Sequence, residues 1–413
     1  MKACENSTTL THAIQQPEPN WLEKRLLTRL KPMLDREHGT LNLTLPSGYR
    51  TRLGHNQPEA DVKLLNYRPL LRLYLGGING WSESYIAGEW ESHNLTSLVL
   101  WALSYEESLT EIAKASFITQ SLHNLYHWQR DNSRKGSQRN ISAHYDLGNE
   151  FYKLWLDKSM TYSAALYSQT EQTLEQAQIN KNARILELLD AKPEEHIVEI
   201  GCGWGGFATQ AAEESNLKVH GITLSQEQLS WAQARVTDKQ LEGQVHCSLT
   251  DYRDLQHQYD GVVSIEMFEA VGEAHWDTYF QTLDKVLKPG GKAVLQVITI
   301  AENRFDEYRK NADFIQRYIF PGGMLPSVTA LKEKVTEHDF ELQDMLLFGK
   351  DYAQTLREWR GAFIASWEKI KPLGFDERFY RLWNYYLAYC EGGFEQGSID
   401  VGLYVIAKKH DQV

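Results

Sequence analysis

The sequence predicts an α/β fold with a mostly parallel sheet after residue 141, preceded by a smaller α+β domain. After residue 141, short apolar runs such as HIVEI, KAVLQVITI and VGLYVIAKK alternate with helical stretches, as they do in βαβ units. Before residue 127, leucines alternate with polar residues on both sides of a Pro-Ser-Gly turn, as in a β-hairpin. The length of 413 residues is enough for two or three domains.

Composition and charge exclude several classes of protein. Hydrophobic residues make up 42% of the chain, yet no apolar run approaches the roughly 18 residues of a membrane-spanning helix. The formal net charge of -12 disfavours a general nucleic-acid binder. Four cysteines without paired spacing predict neither a disulfide framework nor a zinc site, and they favour a reducing compartment. The polar residues 1–20 predict a disordered lead rather than a signal peptide.

Local patterns predict the elements of the first domain, over residues 21–126. Helical periodicity predicts a helix over 22–33, and the Pro-Ser-Gly turn predicts a hairpin within 39–54. The next segment combines a strand, a Gly-Gly break and a short aromatic helix, and residues 96–128 have Leu and Ala at helical spacing. Residues 127–140 then contain four basic residues and one acid, which predicts a basic linker.

A glycine cluster follows the first apolar run of the second part. The stretch VEIGCGWGGFA, residues 198–208, has the order strand, glycine turn, helix. Glycine lets a ligand approach the backbone with no Cβ in the way, but a tight turn packing helix against strand would need the same residues. Within the stretch, Glu199 is expected to orient the loop or bind a ligand's ammonium group, or else to supply charge at the helix N-terminus.

The strands that follow give the crevice its chemistry. A dinucleotide site would have an acid about twenty residues after the glycines, whereas this strand ends in GITLSQEQ, with no carboxylate at its tip. The third strand ends in Thr250, Asp251 and Tyr252, a polar and aromatic set suited to an adenine edge. In an open α/β sheet the carboxyl ends of such strands form one ligand crevice.

Five segments together resemble one enzyme family. HYDLGNEFYKLWLDKSMTYSAALY, VEIGCGWGGFA, GITLSQEQ, MFEAVG and YIFPGGMLPS resemble the cyclopropane-fatty-acid synthase family of S-adenosylmethionine (SAM)-dependent methyltransferases, over about residues 60–410. The resemblance implies a seven-stranded, Rossmann-like class I methyltransferase sheet within 141–413. It also implies SAM as methyl donor and, as substrate, the cis double bond of an acyl chain, usually in a phospholipid. The SAM-binding residues that it implies are Tyr162, Ser163, Gly201, Gly203, Thr223, Leu224 and Gln228. To these we add Glu199, Asp251 and Tyr252 from the strand ends.

The implied reaction needs a base. Methyl transfer from a sulfonium to an alkene leaves a carbocation, and a proton must then be removed in a dry site. Members of the family usually hold bicarbonate as that base, and the resemblance assigns the matching roles to Glu269, Tyr352 and Cys390. Two positions depart from the family pattern, because Ala164 replaces a Cys and Gln296 replaces a His. An amide can donate a hydrogen bond to bicarbonate but cannot take up a proton.

These departures leave the product and the roles open. A weaker or displaced base is expected to give a methyl- or methylene-branched chain at least as readily as a cyclopropane. A small-molecule N-methyltransferase and a non-catalytic SAM- or lipid-binding protein are the alternative functions. Glu269 could instead lie on a solvated helix face, and Tyr352 and Cys390 could be packing residues.

The segment ADFIQRYIFPGGMLPS interrupts the sheet pattern. Phe314, Ile315, Tyr318 and Ile319 would form one apolar helical side. We expect an insertion near 305–385 that covers an acyl chain; the alternative is a helix packed on the edge of the sheet.

A lipid substrate requires access to a membrane. We expect a cytoplasmic protein, peripheral on the inner face of the membrane, that binds unsaturated phospholipid but no nucleic acid or metal, as a monomer or a homodimer. Four cations of the predicted linker are expected to draw it to anionic lipid. They are Arg130, Arg134, Lys135 and Arg139.

Overall fold

The structure, a computed structural model, describes residues 17–34, 39–105, 147–169 and 171–409. The first part of the chain forms a small α+β unit. Its elements are α1 (Trp21–Leu34), β1 (Gly39–Thr44), β2 (Arg50–His55), β3 (Glu59–Leu64), α2 (Arg68–Ile86), β4 (Trp90–Glu91) and α3 (Leu95–Ser104). The strands form a sheet of order β2-β1-β3-β4, in which β1 pairs antiparallel with β2 and parallel with β3.

The second part is built on a seven-stranded sheet. The strands are β5 (His196–Ile200), β6 (Lys218–Thr223), β7 (Val245–Leu249), β8 (Tyr259–Ile265), β9 (Leu287–Ile300), β10 (Phe340–Leu347) and β11 (Ile399–Lys408). Their order is β10-β11-β9-β8-β5-β6-β7. The pairs from β9 through β7 are parallel, and β11 runs antiparallel to both of its neighbours. The predicted fold class, a mostly parallel seven-stranded sheet with a smaller α+β domain, is therefore confirmed.

Helices cover both faces of this sheet, where the two hydrophobic core clusters lie. They are α4 (Asn149–Tyr152), α5 (Leu174–Leu189), α6 (Gly206–Ser215), α7 (Gln226–Asp238), α8 (Trp276–Val286), α9 (Glu302–Tyr308), α10 (Phe314–Tyr318), α11 (Val328–Glu337), α12 (Gly349–Ala365), α13 (Trp367–Ile370) and α14 (Glu377–Gln396). The central strands are buried on both faces, which explains their nearly continuous apolar runs. Side-chain caps fix the start of several helices; Ser225, for example, accepts from the Gln228 N–H at the start of α7.

Most of the predicted elements that can be compared are present. The helix predicted over 22–33 is α1, and the predicted hairpin is β1 and β2. The Gly-Gly break lies within α2, where Gly77 has a non-helical φ of 58°. Of the helix predicted over 96–128, the structure contains α3 and describes nothing beyond Tyr105. The predicted basic linker and the domain boundary beside it fall outside the described residues.

The insertion forms several short helices between β9 and β10, and α12 to α14 before β11. Helix α14 packs against both α12 and α3, and so joins the two parts of the chain. In the described part of the chain, no helix combines the length and apolar character needed to cross a bilayer.

Candidate active site

A cavity opens at the carboxyl ends of β5 to β8, at the crevice that the sequence predicted. The structure brings most of the predicted SAM-binding residues to its wall. They are Tyr162, Ser163, Glu199, Gly201, Gly203, Thr223, Leu224, Gln228 and Tyr252. Lys181, Glu266 and Met267 line the same cavity although we did not predict them.

The glycine loop between β5 and α6 needs glycine for its backbone. Gly201, Gly203 and Gly205 all have positive φ, of 87°, 51° and 78°, a region that other residues rarely adopt. A Cβ on Gly201 would lie 3.1 Å from the Met267 Cγ, whereas a Cβ on Gly203 would meet no atom within 4 Å. Gly203 therefore leaves open space in the cavity wall.

The end of β6 is organised by side-chain hydrogen bonds. The Thr223 hydroxyl donates to the Gln228 Oε1 at 2.8 Å and accepts from the Ser225 N–H at 3.1 Å. The Gln228 side chain is thus held at the cavity wall as a neutral hydrogen-bonding group.

Asp251, the remaining residue of the predicted SAM-binding set, is not among the residues that line the cavity. Its carboxylate accepts from the Arg253 Nε at 2.8 Å and Nη2 at 2.6 Å. It also accepts from the Arg253 backbone N–H, which caps the short 3₁₀ turn at 252–254. The Asp251 carboxylate thus forms a local ion pair with Arg253, two residues further on. Tyr252, between them, lines the cavity.

Two buried ionisable residues, Glu199 and Lys181, line the cavity. The Glu199 side chain is buried, and its Oε2 has no hydrogen-bond partner among the described residues. Burial raises the pKa of Glu199 to about 8. The Lys181 Nζ donates to the Ser163 hydroxyl at 3.0 Å, and burial lowers the pKa of Lys181 to about 8 against the opposing charges of Glu266 and Glu199. An unpartnered buried carboxylate oxygen beside open space is suited to the ammonium group of SAM.

Glu266, directly after β8, is the centre of a second cluster. Its Oε1 accepts from the Ala164 backbone N–H at 2.7 Å and from the Gln296 Nε2 at 2.7 Å. Its Oε2 accepts from the Tyr352 hydroxyl at 2.7 Å. Glu266 has a φ of 49°, a strained conformation for a non-glycine residue, of the kind that recurs at functional sites. Burial raises the pKa of Glu266, and its three donors oppose that rise.

Glu269 lies apart from this hydrogen-bonded set. Its residue is half-buried, but its carboxyl oxygen Oε2 is buried and so does not lie on a solvated helix face. Its Oε1 accepts from the Ile298 N–H at 2.5 Å, and its Oε2 is buried with no hydrogen-bond partner among the described residues. Burial, and then the charge of Glu266, raise its pKa to about 8. The resemblance grouped Gln296 and Tyr352 with Glu269. In the structure their side chains instead donate to Glu266.

Cys390 lies in α14 and is half-buried, with a free thiol whose pKa is raised by burial. Aromatic rings surround the space between it and the cavity. The Tyr162 hydroxyl is 2.7 Å from the Tyr386 hydroxyl, and the Tyr162 ring centroid is 5.1 Å from that of Trp359. The Tyr352 ring lies 4.4 Å from the Phe394 ring. Such rings exclude water and can stabilise a nearby cation through their faces.

The glycine loop, the polar strand ends and the buried carboxylate define a class I SAM-dependent methyltransferase. The model of the family described as mycolic acid cyclopropane synthetase matches residues 132–403, more than half of the chain. The chain belongs to that family.

Individual relatives agree with this assignment. The chain is 36% identical over 396 residues to the tuberculostearic acid methyltransferase UfaA1 of Mycobacterium tuberculosis H37Rv, covering 90% of this chain and 88% of that protein. It is 38% identical over 354 residues to the cyclopropane-fatty-acyl-phospholipid synthase of Escherichia coli K12, covering 84% and 88%. The crystal structure of mycolic acid cyclopropane synthase CmaA1 with SAH and CTAB matches with a TM-score of 0.62 at 30% identity, covering 66% of this chain and 98% of that one.

Proposed function

We propose that this protein transfers the SAM methyl group to the cis double bond of an unsaturated acyl chain in a phospholipid, with Glu266 as the base. The names of two relatives, a fatty-acyl-phospholipid synthase and a tuberculostearic acid methyltransferase, support the substrate class. The cavity supports the donor, because Glu199, Gly203 and Gln228 offer an acidic partner, open space and a fixed amide.

SAM supplies an electrophilic methyl group, so that one C–S bond breaks, one C–C bond forms, and the alkene becomes a carbocation. The rings of Tyr162, Trp359 and Tyr386 keep water away from that cation and face it with π electrons. The remaining step is the removal of one proton.

The single observation that supports Glu266 as the base is its set of donors. The resemblance assigned bicarbonate to the surroundings of Ala164, Gln296 and Tyr352, and all three donate to Glu266 instead. Bicarbonate does not fit here, because its donors are already bound to a carboxylate of the chain. The buried Glu266 carboxylate is a stronger base than an exposed one, since its pKa is raised.

Glu266 would take a proton from the cation, and the C–H electron pair would close the bond that defines the product. Loss of a proton from the new methyl group with ring closure gives a cyclopropane. If a 1,2-hydride shift first moves the cation to the carbon that bears the methyl group, loss of a methyl proton forms a C=C bond and gives a methylene branch. Three hydrogen bonds fix the Glu266 side chain, whereas a free anion could move within the site. The position of the acyl chain therefore decides which proton of the cation Glu266 can reach. We propose an open, branched product at least as abundant as the cyclopropane.

The test uses two substitutions at Glu266. Glu266→Gln keeps the shape but cannot accept a proton, so turnover on vesicles of monounsaturated phospholipid should fall about 10²-fold or more, with SAM affinity retained. Glu266→Gly suits the positive φ and leaves space for a small anion, so added formate or bicarbonate should restore part of the turnover. The measurements are S-adenosylhomocysteine release, and mass spectrometry and proton NMR of the lipid.

The wild-type enzyme in bicarbonate-free buffer is the control and should keep full activity. Its turnover should rise with pH as Glu266 ionises, and Glu266→Gln should lose that rise. Full activity of Glu266→Gln, or wild-type activity that depends on added bicarbonate, would show that Glu266 is not the base. Upfield cyclopropane protons without any branched species would refute the proposed product alone.

We further propose that the protein works on the cytoplasmic face of a membrane as a peripheral protein. Free thiols at Cys202, Cys247 and Cys390 suit a reducing compartment, and a phospholipid substrate lies in a bilayer. A homodimer stays a prediction.

A further inference from the structure

One face of α2 is apolar and exposed. Leu71, Tyr74 and Leu75 lie at helical spacing and are 58%, 56% and 51% exposed, and Ile78, just beyond the kink at Gly77, is 52% exposed. We call these four residues the α2 face. Scattered exposed apolar residues are ordinary, but four within residues 71–78 mark a surface that binds something.

More exposed apolar residues continue the α2 face at its N-terminal end. Trp21 is 69% exposed and Tyr67 is 37% exposed. The start of α1 is held against the start of α2, because the Tyr67 hydroxyl donates to Glu23 at 3.0 Å and accepts from the Asn20 Nδ2 at 2.6 Å. Trp21 therefore directly follows a residue in contact with Tyr67, and both are of the aromatic types that lipid interfaces favour.

The charge around this surface differs from that of the rest of the chain. Residues 65–82 contain two arginines and no acid, in a protein of net charge -12. Arg68 and Arg72 both pair with Glu89, just before β4, and Arg72 also pairs with Glu83 of α2, so the basic character of this border comes mainly from α1. Helix α1 adds four cations, and its one acid, Glu23, is buried. A basic border around an apolar stripe is the pattern of helices that lie on anionic membranes.

The α2 face also adjoins the segment that leads to the active site. The Asn79 Nδ2 donates to the Ala312 carbonyl at 3.1 Å, and the Tyr318 hydroxyl donates to Glu83 at 2.5 Å, which joins α2 to the segment around α10. From that segment, the Met324 N–H donates to the Glu269 carbonyl at 2.8 Å. A bilayer against α2 would therefore meet the insertion that reaches the catalytic carboxylates.

We propose that the α2 face docks the enzyme on the surface of a phospholipid bilayer. This inference rests on the proposed lipid substrate and specifies where the enzyme meets it. A second copy of the chain is a less suitable partner for the α2 face. A stable protein interface buries about 800 Å² per partner, and the four half-exposed side chains supply less area than that. In a symmetric dimer the basic border would also face its own copy, whereas on a membrane it would face lipid phosphates of opposite charge.

The experiment compares a double variant with a matched control in the full chain. Leu71→Gln with Leu75→Gln removes half of the α2 face, and Leu347→Gln with Leu373→Gln alters residues of 41% and 46% exposure elsewhere. Sedimentation with vesicles of phosphatidylglycerol and phosphatidylethanolamine should show about tenfold or greater loss of binding for the α2 variant, and none for the control. Part of the wild-type binding should survive high salt, because it is apolar.

Activity separates this inference from the proposed function. The α2 variant should lose turnover on vesicles but keep it on the same lipid dispersed in detergent, with SAM affinity unchanged. Wild-type vesicle binding by the α2 variant would overturn the inference. So would a wild-type dimer that the variant converts to a monomer while vesicle binding persists, which would make the α2 face a subunit interface. Inactivity of the wild type on both vesicles and detergent-dispersed lipid, with vesicle binding retained, would contradict the proposed function and not the docking.

Discussion

Glu266 and Glu269 lie three residues apart and have opposite surroundings. Glu266 accepts hydrogen bonds from Ala164, Gln296 and Tyr352, which favour its ionised form. Glu269 accepts one backbone bond, from Ile298, and has an unpartnered oxygen. Two buried carboxyl groups so close together do not both ionise easily. These surroundings support Glu266 as the proposed base, and the raised pKa of Glu269, about 8, favours its protonated form at neutral pH.

This difference predicts how Glu269→Gln changes the pH dependence of stability. The pKa of Glu269 is about 8 in the folded state and near 4.5 when exposed. Between those values Glu269 holds a proton in the folded state that it has lost in the unfolded state. Its contribution to the free energy of unfolding is therefore fully present below pH 4.5 and is lost as the pH rises towards 8. Glu269→Gln removes this contribution, and so should lessen the loss by up to roughly 1.4 kcal/mol per pH unit.

Urea unfolding at about pH 5.5 and about pH 8 measures that change. Glu199, whose pKa is also about 8, keeps part of the slope in both proteins, so the difference between them is the quantity of interest. Glu269→Gln should also retain more turnover than Glu266→Gln. An unchanged slope together with a larger loss of turnover would mean that Glu269 is the ionised partner.

At the scale of elements, the loop between β5 and α6 is where glycine has a specific role. Gly203 has a φ of 51° and open space in front of it. Gly203→Val would strain the backbone by about 1–3 kcal/mol and put a branched side chain into the cavity. SAM affinity, measured by calorimetry, should therefore fall about tenfold or more.

Gly397 provides the matched control for that strain. It has a φ of 81° at the end of α14, also with open space for a Cβ, but it does not line the cavity. Gly397→Val should lower stability to a similar extent and leave SAM affinity unchanged. Equal SAM affinity in both variants would mean that the loop serves only to turn the chain.

The elements also show what the sequence could predict. Buried parallel strands such as β5 and β9 are apolar runs, and the glycine turn follows directly from local sequence. Strand β10 lies at the edge with most of its residues partly or fully exposed, and its one apolar run, at 345–347, is too short to identify it locally. The role of Glu266 depends on Gln296 and Tyr352, which are 30 and 86 residues away. Its only local signal is an acid at the carboxyl end of a buried strand.

At the scale of the whole molecule, α14 holds the first part of the chain against the catalytic part. The buried Glu391 carboxylate accepts from the Thr96 hydroxyl of α3 at 2.7 Å and from the Arg357 Nε of α12 at 3.0 Å. The Asn384 Nδ2 donates to the Tyr85 hydroxyl of α2 at 3.2 Å. The position of the α2 face relative to the active site therefore depends on how closely α3 and α14 approach.

That approach requires glycine at position 392, which a pair of substitutions can test. A Cβ on Gly392 would lie 2.5 Å from the Val99 Cγ1, whereas a Cβ on the exposed, helical Gly361 would meet no atom within 4 Å. Gly361→Ala should raise the free energy of unfolding by about 0.5–1 kcal/mol through helix propensity. Gly392→Ala should instead lower it by about 1–3 kcal/mol through overpacking and weaken turnover on vesicles more than on detergent-dispersed lipid. Val99→Ala in the Gly392→Ala background removes the clashing Cγ1 and should recover part of both losses, by denaturant unfolding and S-adenosylhomocysteine release. Equal stability changes for the two alanine variants would mean that α3 does not hold α14 in this position.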